Sequence, residues 1–146
     1  MSYGINAYKS VGVKNDLAVA DPHRVIQLLM QGSLENMAKA RGCIERKDFM
    51  GKSQTMSKAM SIISALQHSL DMDVGGEVSQ NLWSLYDFMV NHLMQASRES
   101  SIAKVDDVIE IMLKIKSAWD SIPVADRETG YRLIQDRDSQ SDRATA

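Results

Sequence analysis

The sequence predicts an all-α chain. It reads as an antiparallel four-helix bundle with an N-terminal arm and room for a short fifth helix at the C-terminus. Three observations carry that expectation. Apolar residues recur at three- and four-residue spacing through four long stretches. The only two prolines, Pro22 and Pro123, stand at the edges of those stretches and not inside them. No β-branched run of strand type interrupts the pattern. With 146 residues, 44% of them hydrophobic and 25% charged, the chain has the length and composition of one soluble domain with one core. The expected organisation is an arm over 1–20, the bundle over 21–122 and a partly disordered extension over 123–146.

Residues 1–20 mix helix-weakening Gly4, Asn6 and Gly12 with apolar Tyr3, Ile5, Tyr8, Val11 and Val13. This suits a loosely packed arm with aromatic anchors. Asp21-Pro22 then starts the first helix. The Asp21 side chain can cap free backbone N–H groups, and Pro22 loses nothing at a position whose N–H has no partner. Ile26, Leu29, Met30, Leu34, Met37 and Ile44 form its main stripe to about Arg46, with Val25, Leu28 and Gly32 beside it. Gly32 would allow another backbone to approach closely.

Asp48 caps the second helix, Phe49 to about Leu70, with Met56, Ala59, Met60, Ile63, Leu66 and Leu70 as its stripe. Asp71-Met72-Asp73-Val74-Gly75-Gly76 is a turn. Glu77 follows in the first turn of a third helix that runs to about Arg98. This helix carries two stripes. Val78, Leu82, Leu85, Met89, Leu93 and Ala96 form one; Trp83, Tyr86, Val90 and Met94 form the other. A surface helix needs only one. The fourth helix follows Ser100-Ser101, carries Ile102, Val105, Ile109, Met112, Ile115 and Trp119, and stops at Ile122-Pro123. Its acidic Asp106 and Asp107 come early and Lys114 and Lys116 late, as the helix dipole favours. Residues 126–134 suit one short helix. Residues 138–146 carry no large apolar side chain and are expected to be disordered.

Composition excludes several functions. A net charge of −2 gives no strong positive field, so nucleic acid and anionic membrane surfaces are not expected partners. No apolar run is long enough for membrane insertion. The single Cys43 cannot form an internal disulfide. No signal peptide is read, and the chain is expected in the cytoplasm. Catalytic motifs fail on named residues. Gly51-Lys52-Ser53 resembles the end of a phosphate loop, but Arg46 stands where that loop needs a glycine. Asp71-x-Asp73-x-x-Gly76 resembles the start of a calcium loop, but Leu82 stands where its bidentate glutamate belongs. Ala65 and Met89, three before His68 and His92, rule out the Glu-x-x-His pairs of di-iron bundles. His23, His68 and His92 read as first-turn or surface residues. No enzyme, cofactor or metal is expected. Charge is mildly polarised: Lys39, Arg41, Arg46, Lys47, Lys52 and Lys58 gather around the first inter-helix turn, and Asp71, Asp73, Glu77 and Asp87 around the second.

What remains is apolar helix surface beyond a tidy core, together with 10 methionines. Methionine fills gaps in cores and also serves surfaces that accept helical partners. A groove between helices could take an amphipathic partner helix, or let two copies of the free chain pair as a homodimer.

Several of these stretches, in order, resemble the flagellar secretion chaperone FliS family. Asp21-Pro22-His23-Arg24-Val25-Ile26-Gln27-Leu28-Leu29 is similar to that family's Ser/Asp-Pro-x-x-Leu-Ile-x-x-Leu opening. Ile62-Ile63-Ser64-Ala65-Leu66-Gln67-His68-Ser69-Leu70-Asp71 resembles its second-helix motif. Gly75-Gly76-Glu77-Val78, Asn81-Leu82 and Leu85-Tyr86-Asp87-Phe88-Met89 resemble its Gly-Gly-Glu-Ile…Asn-Leu…Leu-Tyr-x-Tyr-Met signature. Ala118-Trp119 matches the end of its fourth helix, and Tyr8 falls at its N-terminal tyrosine. The resemblance spans about residues 3–121. Val25 replaces a usual leucine, Met30-Gln31 a tyrosine-aspartate pair, and Phe88 an aromatic that is often tyrosine.

The resemblance implies a chaperone that binds the C-terminal segment of flagellin, prevents its premature polymerisation and delivers it, as a complex, to the export gate. It also implies an arm that covers part of the groove. The groove residues expected are Tyr8, Val25, Leu29, Gly32, Ile63, Leu66, Leu70, Asn81, Leu82, Leu85, Tyr86 and Met89. Roughly half of them are expected to be plain core. The alternative is a non-enzymatic helical adaptor or regulator with another partner.

Overall fold

A computed structural model describes residues 21–145, which form five helices: α1 (Pro22–Glu45), α2 (Phe49–His68), α3 (Gly76–Glu99), α4 (Ile102–Asp120) and α5 (Val124–Thr145). The first four build the bundle. Each packs on its neighbours around a square, α1 on α2, α2 on α3, α3 on α4 and α4 back on α1, with the most extensive contact between α1 and α2. Short connections force antiparallel neighbours.

The start signals work as side-chain chemistry predicts. Asp21 accepts from the Arg24 backbone N–H at 2.7 Å, with Pro22 in the first helical turn. Asp48 accepts from Gly51 N at 3.0 Å, so the residues resembling a phosphate loop are the capped first turn of α2. Ser101 accepts from Lys104 N at 3.2 Å to start α4. The end of α1 closes with crossed backbone bonds, Asp48 N to Cys43 O at 2.9 Å and Lys47 N to Ile44 O at 3.2 Å. That closure puts Lys47 in the left-handed region, at φ 58°.

The core runs along the bundle axis through Leu29, Met37, Met56, Ile62, Ile63, Leu66, Met89, Leu93, Val105, Val108 and Met112. The methionines divide. Met30, Met37, Met56, Met89 and Met112 are buried, whereas Met50, Met72 and Met94 are exposed. At one end a clasp ties the first helix to the fourth. His23 and Trp119 stack at 4.8 Å. The Trp119 Nε1–H donates to His23 O at 3.0 Å, and His23 Nε2 lies 2.8 Å from Trp119 O. His23 thus sits in the first turn of α1, one of the two positions expected for it, and is buried there.

Three expectations change. The α1 residues placed beside its main stripe, Val25, Leu28 and Gly32, are buried, whereas Ile26, Leu34 and Ile44 are only half-buried. The stripe faces the core about one position away from its sequence reading, because α1 meets two neighbours. Asp106 and Asp107 lie beyond the first turn of α4 and pair across helices instead. Arg41 Nε donates to Asp106 at 2.8 Å, and His92 Nε2 lies 3.0 Å from Asp107. Finally, the fifth helix is not short. It continues through residues expected to be disordered, as far as Thr145.

Candidate partner-binding surface

The two glycines that launch α3 are needed for different physical reasons. A Cβ on Gly75 would run into the Ser79 side chain and come within 2.8 Å of the Asp71 carbonyl. Gly76 has open space but a φ of +53°, which side-chain-bearing residues avoid. Asp71 completes the turn by accepting from Asp73 N at 3.1 Å and Val74 N at 2.9 Å. The Val74 bond is the main reason its carboxyl stays below the usual aspartate range, with Arg137 adding to it against partial desolvation. The carboxylates that resembled a calcium loop thus answer backbone amides and a guanidinium.

From that turn α3 presents three strips. Tyr86, Met89, Leu93 and Ala96 are buried. Leu82, Leu85 and Val90 are half-buried against the core. Outside these stand Val78, 68% exposed, Phe88, 49%, Met94, 39%, and Trp83, 37%. At 100° per residue, Trp83, Val90 and Met94 share the flank toward α2. There Gln67 Nε2 donates to Trp83 O at 3.0 Å, and the His68 ring meets the Trp83 ring edge-on at 5.5 Å. Leu85, Phe88 and His92 share the flank toward α4, where Phe88 stacks on His92 at 5.0 Å. Each flank is a rail of apolar surface beside an inter-helix groove, with half-buried Ile111 and Ile115 continuing the α4 side.

The residues expected in a groove separate by burial. Val25, Leu29, Gly32, Ile63, Leu66, Tyr86 and Met89 are buried and form the wall behind the surface. Leu70, Leu82 and Leu85 are half-buried, and Asn81 is exposed. Tyr8 lies outside the described residues. The outer rail was read from sequence only as a second stripe. Trp83 and Met94 of that stripe are exposed, Val90 is half-buried, and Tyr86 turns into the core. Phe88 belonged to neither stripe, although its spacing of three from Leu85 is the signal that puts it on that residue's flank. Burial pushes the Tyr86 phenol up to about 12, and its hydroxyl has no hydrogen-bond partner among the described residues.

The opposite end carries a second exposed pair, Phe49 at 61% and Met50 at 75%. Basic residues there are largely engaged within the chain. Lys52 Nζ donates to Ser97 O at 2.8 Å and to Ser100 Oγ at 3.1 Å, while lying 5.3 Å from the centre of the Phe49 ring. Arg41 bridges Asp106 and Glu45, and the Asp106 hydrogen bond first of all raises its already high pKa. Among the described residues no three His, Cys, Asp or Glu side chains gather as a metal site, and no helix is long and apolar enough to cross a membrane.

The family model described as flagellar protein FliS matches residues 4–126, which takes in all four bundle helices and most of the sequence before them. The chain belongs to the FliS family. Among FliS relatives, the flagellar secretion chaperone FliS of Vibrio cholerae is 41% identical over 123 residues, 84% of this chain and 90% of that protein. The flagellar secretion chaperone FliSB of Pseudomonas aeruginosa is 41% identical over 115 residues, 79% of this chain and 91% of its own length. The FliS of Salmonella typhimurium is 35% identical over 82% of this chain and 89% of its own. The FliS match includes the Gly-Gly turn and the whole of α3, and it stops just inside α5.

Proposed function

We propose that this chain is a cytoplasmic, non-enzymatic export chaperone. Its client is the C-terminal helical segment of flagellin, which it masks against premature polymerisation and carries, as a complex, to the export gate. The observation that supports this most is the apolar rail left outside the core of a FliS-family bundle, Trp83 and Met94 on one flank of α3 and Phe88 on the other.

Magnitudes set how large the landing surface must be. Fully burying one large apolar side chain contributes about 1.5–3 kcal/mol, so side chains already half-covered contribute about 1 kcal/mol each. Ordering a disordered client costs about 2–5 kcal/mol. Trp83, Phe88 and Met94 alone barely offset that cost. The surface we assign therefore extends over Leu70, Leu82 and Leu85, with Asn81 hydrogen-bonding irregular client backbone between helices. The buried residues of the expected set hold the rail in place. Tyr8 in the preceding segment acts as a removable plug over part of this surface.

Calorimetry with a C-terminal flagellin peptide tests the reading. The expected result is one-to-one binding with a negative heat-capacity change, weakened at least about tenfold by joint Trp83→Ser and Phe88→Ser, which corresponds to about 1.4 kcal/mol. Deleting residues 1–18 should change the affinity. Absence of binding at micromolar peptide would sink the chaperone reading and favour an adaptor with another client.

A further inference from the structure

We propose that α5 is a detachable strap, docked across the bundle end formed by the start of α1, the α2–α3 turn and the end of α4, and latched there by Arg137. The helix touches the bundle along one line. Arg127, Gly130, Tyr131, Ile134 and Arg137 are half-buried, at helical spacing, and the other described α5 side chains are exposed. Arg127 Nε donates to Ile122 O at 2.9 Å, and half-buried Tyr131 follows one turn along the same line. At the far end of the line, Arg137 Nη1 sits 2.6 Å from Asp71 Oδ2 and 3.4 Å from Asp73 Oδ2. Its Nη2 is 2.8 Å from Asp138.

What α5 lacks makes the docking reversible. None of its described side chains enters the core, so little apolar burial opposes release. Its composition is strongly polar, and a polar helix detached from its support is marginal in water. Release and unwinding are then one event. The latch is ionic and partly exposed, so salt screening weakens it. The strap also lies almost wholly beyond residues 4–126, the span of the family match. Its release takes the guanidinium off the partly covered Asp71 carboxylate, which keeps its bonds from the Asp73 and Val74 amides. None of this depends on the identity of the client.

Hydrogen exchange read by mass spectrometry on the full chain tests the strap. In the wild type, residues 124–137 should be protected at low salt, and raising salt should speed their exchange. Arg137→Gln should speed it by up to about fivefold at low salt, the loss expected for a partly exposed ion pair. The variant should also lose most of the salt response, while protection in α1–α4 stays as it was. Arg137→Lys should recover part of the protection. Tyr131→Ala should loosen the helix yet keep the salt response. Unprotected exchange of α5 in the wild type overturns the proposal. So does equal protection, or an equal salt response, in wild type and Arg137→Gln.

Discussion

Helices α1 and α3 have the same length and a similar surplus of apolar residues, yet the fold uses them differently. The first buries eleven of its residues, from His23 to Cys43, and the third buries five. In α1 residues of both apolar strips are buried, with only Ile26, Leu34 and Ile44 left half-covered, because the helix packs on α2 and on α4. In α3 the same two neighbours cover only a central strip. Trp83 and Phe88 remain outside, each against a histidine ring, and Met94 stays exposed beside them. A second stripe in a sequence therefore has two fates, and small or polar residues sort them. Gly32, Ser33, Asn36 and Ala40 let α1 sink among its neighbours, with Ser33 Oγ donating to Met30 O at 2.6 Å and Asn36 Nδ2 to Gly32 O at 2.9 Å. Bulky Trp83 and Phe88 hold the flanks of α3 away.

The contrast can be broken by substitution. Leu29→Ala, at a fully buried α1 site, should cost about 2–5 kcal/mol in chemical denaturation through lost burial and a residual cavity. A cost under about 1 kcal/mol would mean α1 is not the central helix. Gly75→Ala should cost about 1–3 kcal/mol, since a Cβ has no room beside Ser79 and the Asp71 carbonyl. Tyr86→Phe should move stability by less than about 1 kcal/mol, and upward if at all, because a buried hydroxyl without a partner is removed. A clear loss would reveal a hidden acceptor. Phe88→Ser should have the smallest effect on the fold, within about 0.5 kcal/mol, as befits an exposed site. Thermal melts of the last two, run beside Leu29→Ala, measure directly how far α1 and α3 differ.

Much of this was legible from local chemistry. Asp21-Pro22, Asp48 and Ser101 are caps whose side chains act within three residues, so they announce themselves in sequence. The Gly75-Gly76 turn does the same, though only coordinates separate a glycine needed for space from one needed for its dihedral angle. The illegible features all depend on distant partners. His23 reads as a first-turn residue with nothing to bury it until Trp119, 96 positions away, stacks on it. Arg137 lies in a segment with no apolar stripe to suggest a helix, and its partner Asp71 is 66 positions back. The candidate surface was half visible. Periodicity found Trp83 and Met94 but placed Tyr86 beside them, because adjacent flanks of one helix differ by small angles that only packing resolves.

The His23–Trp119 clasp has a mechanical side. The chain enters α1 and leaves α4 at this end, so tension applied between Asp21 and Pro123 falls first on that one pair of rings. Pulling there peels α1 from α4 one turn at a time, and does not shear all four helices together. Single-molecule stretching should accordingly meet low resistance after an initial yield at the clasp, and the same bundle stretched between Lys47 and His68 should hold to higher force.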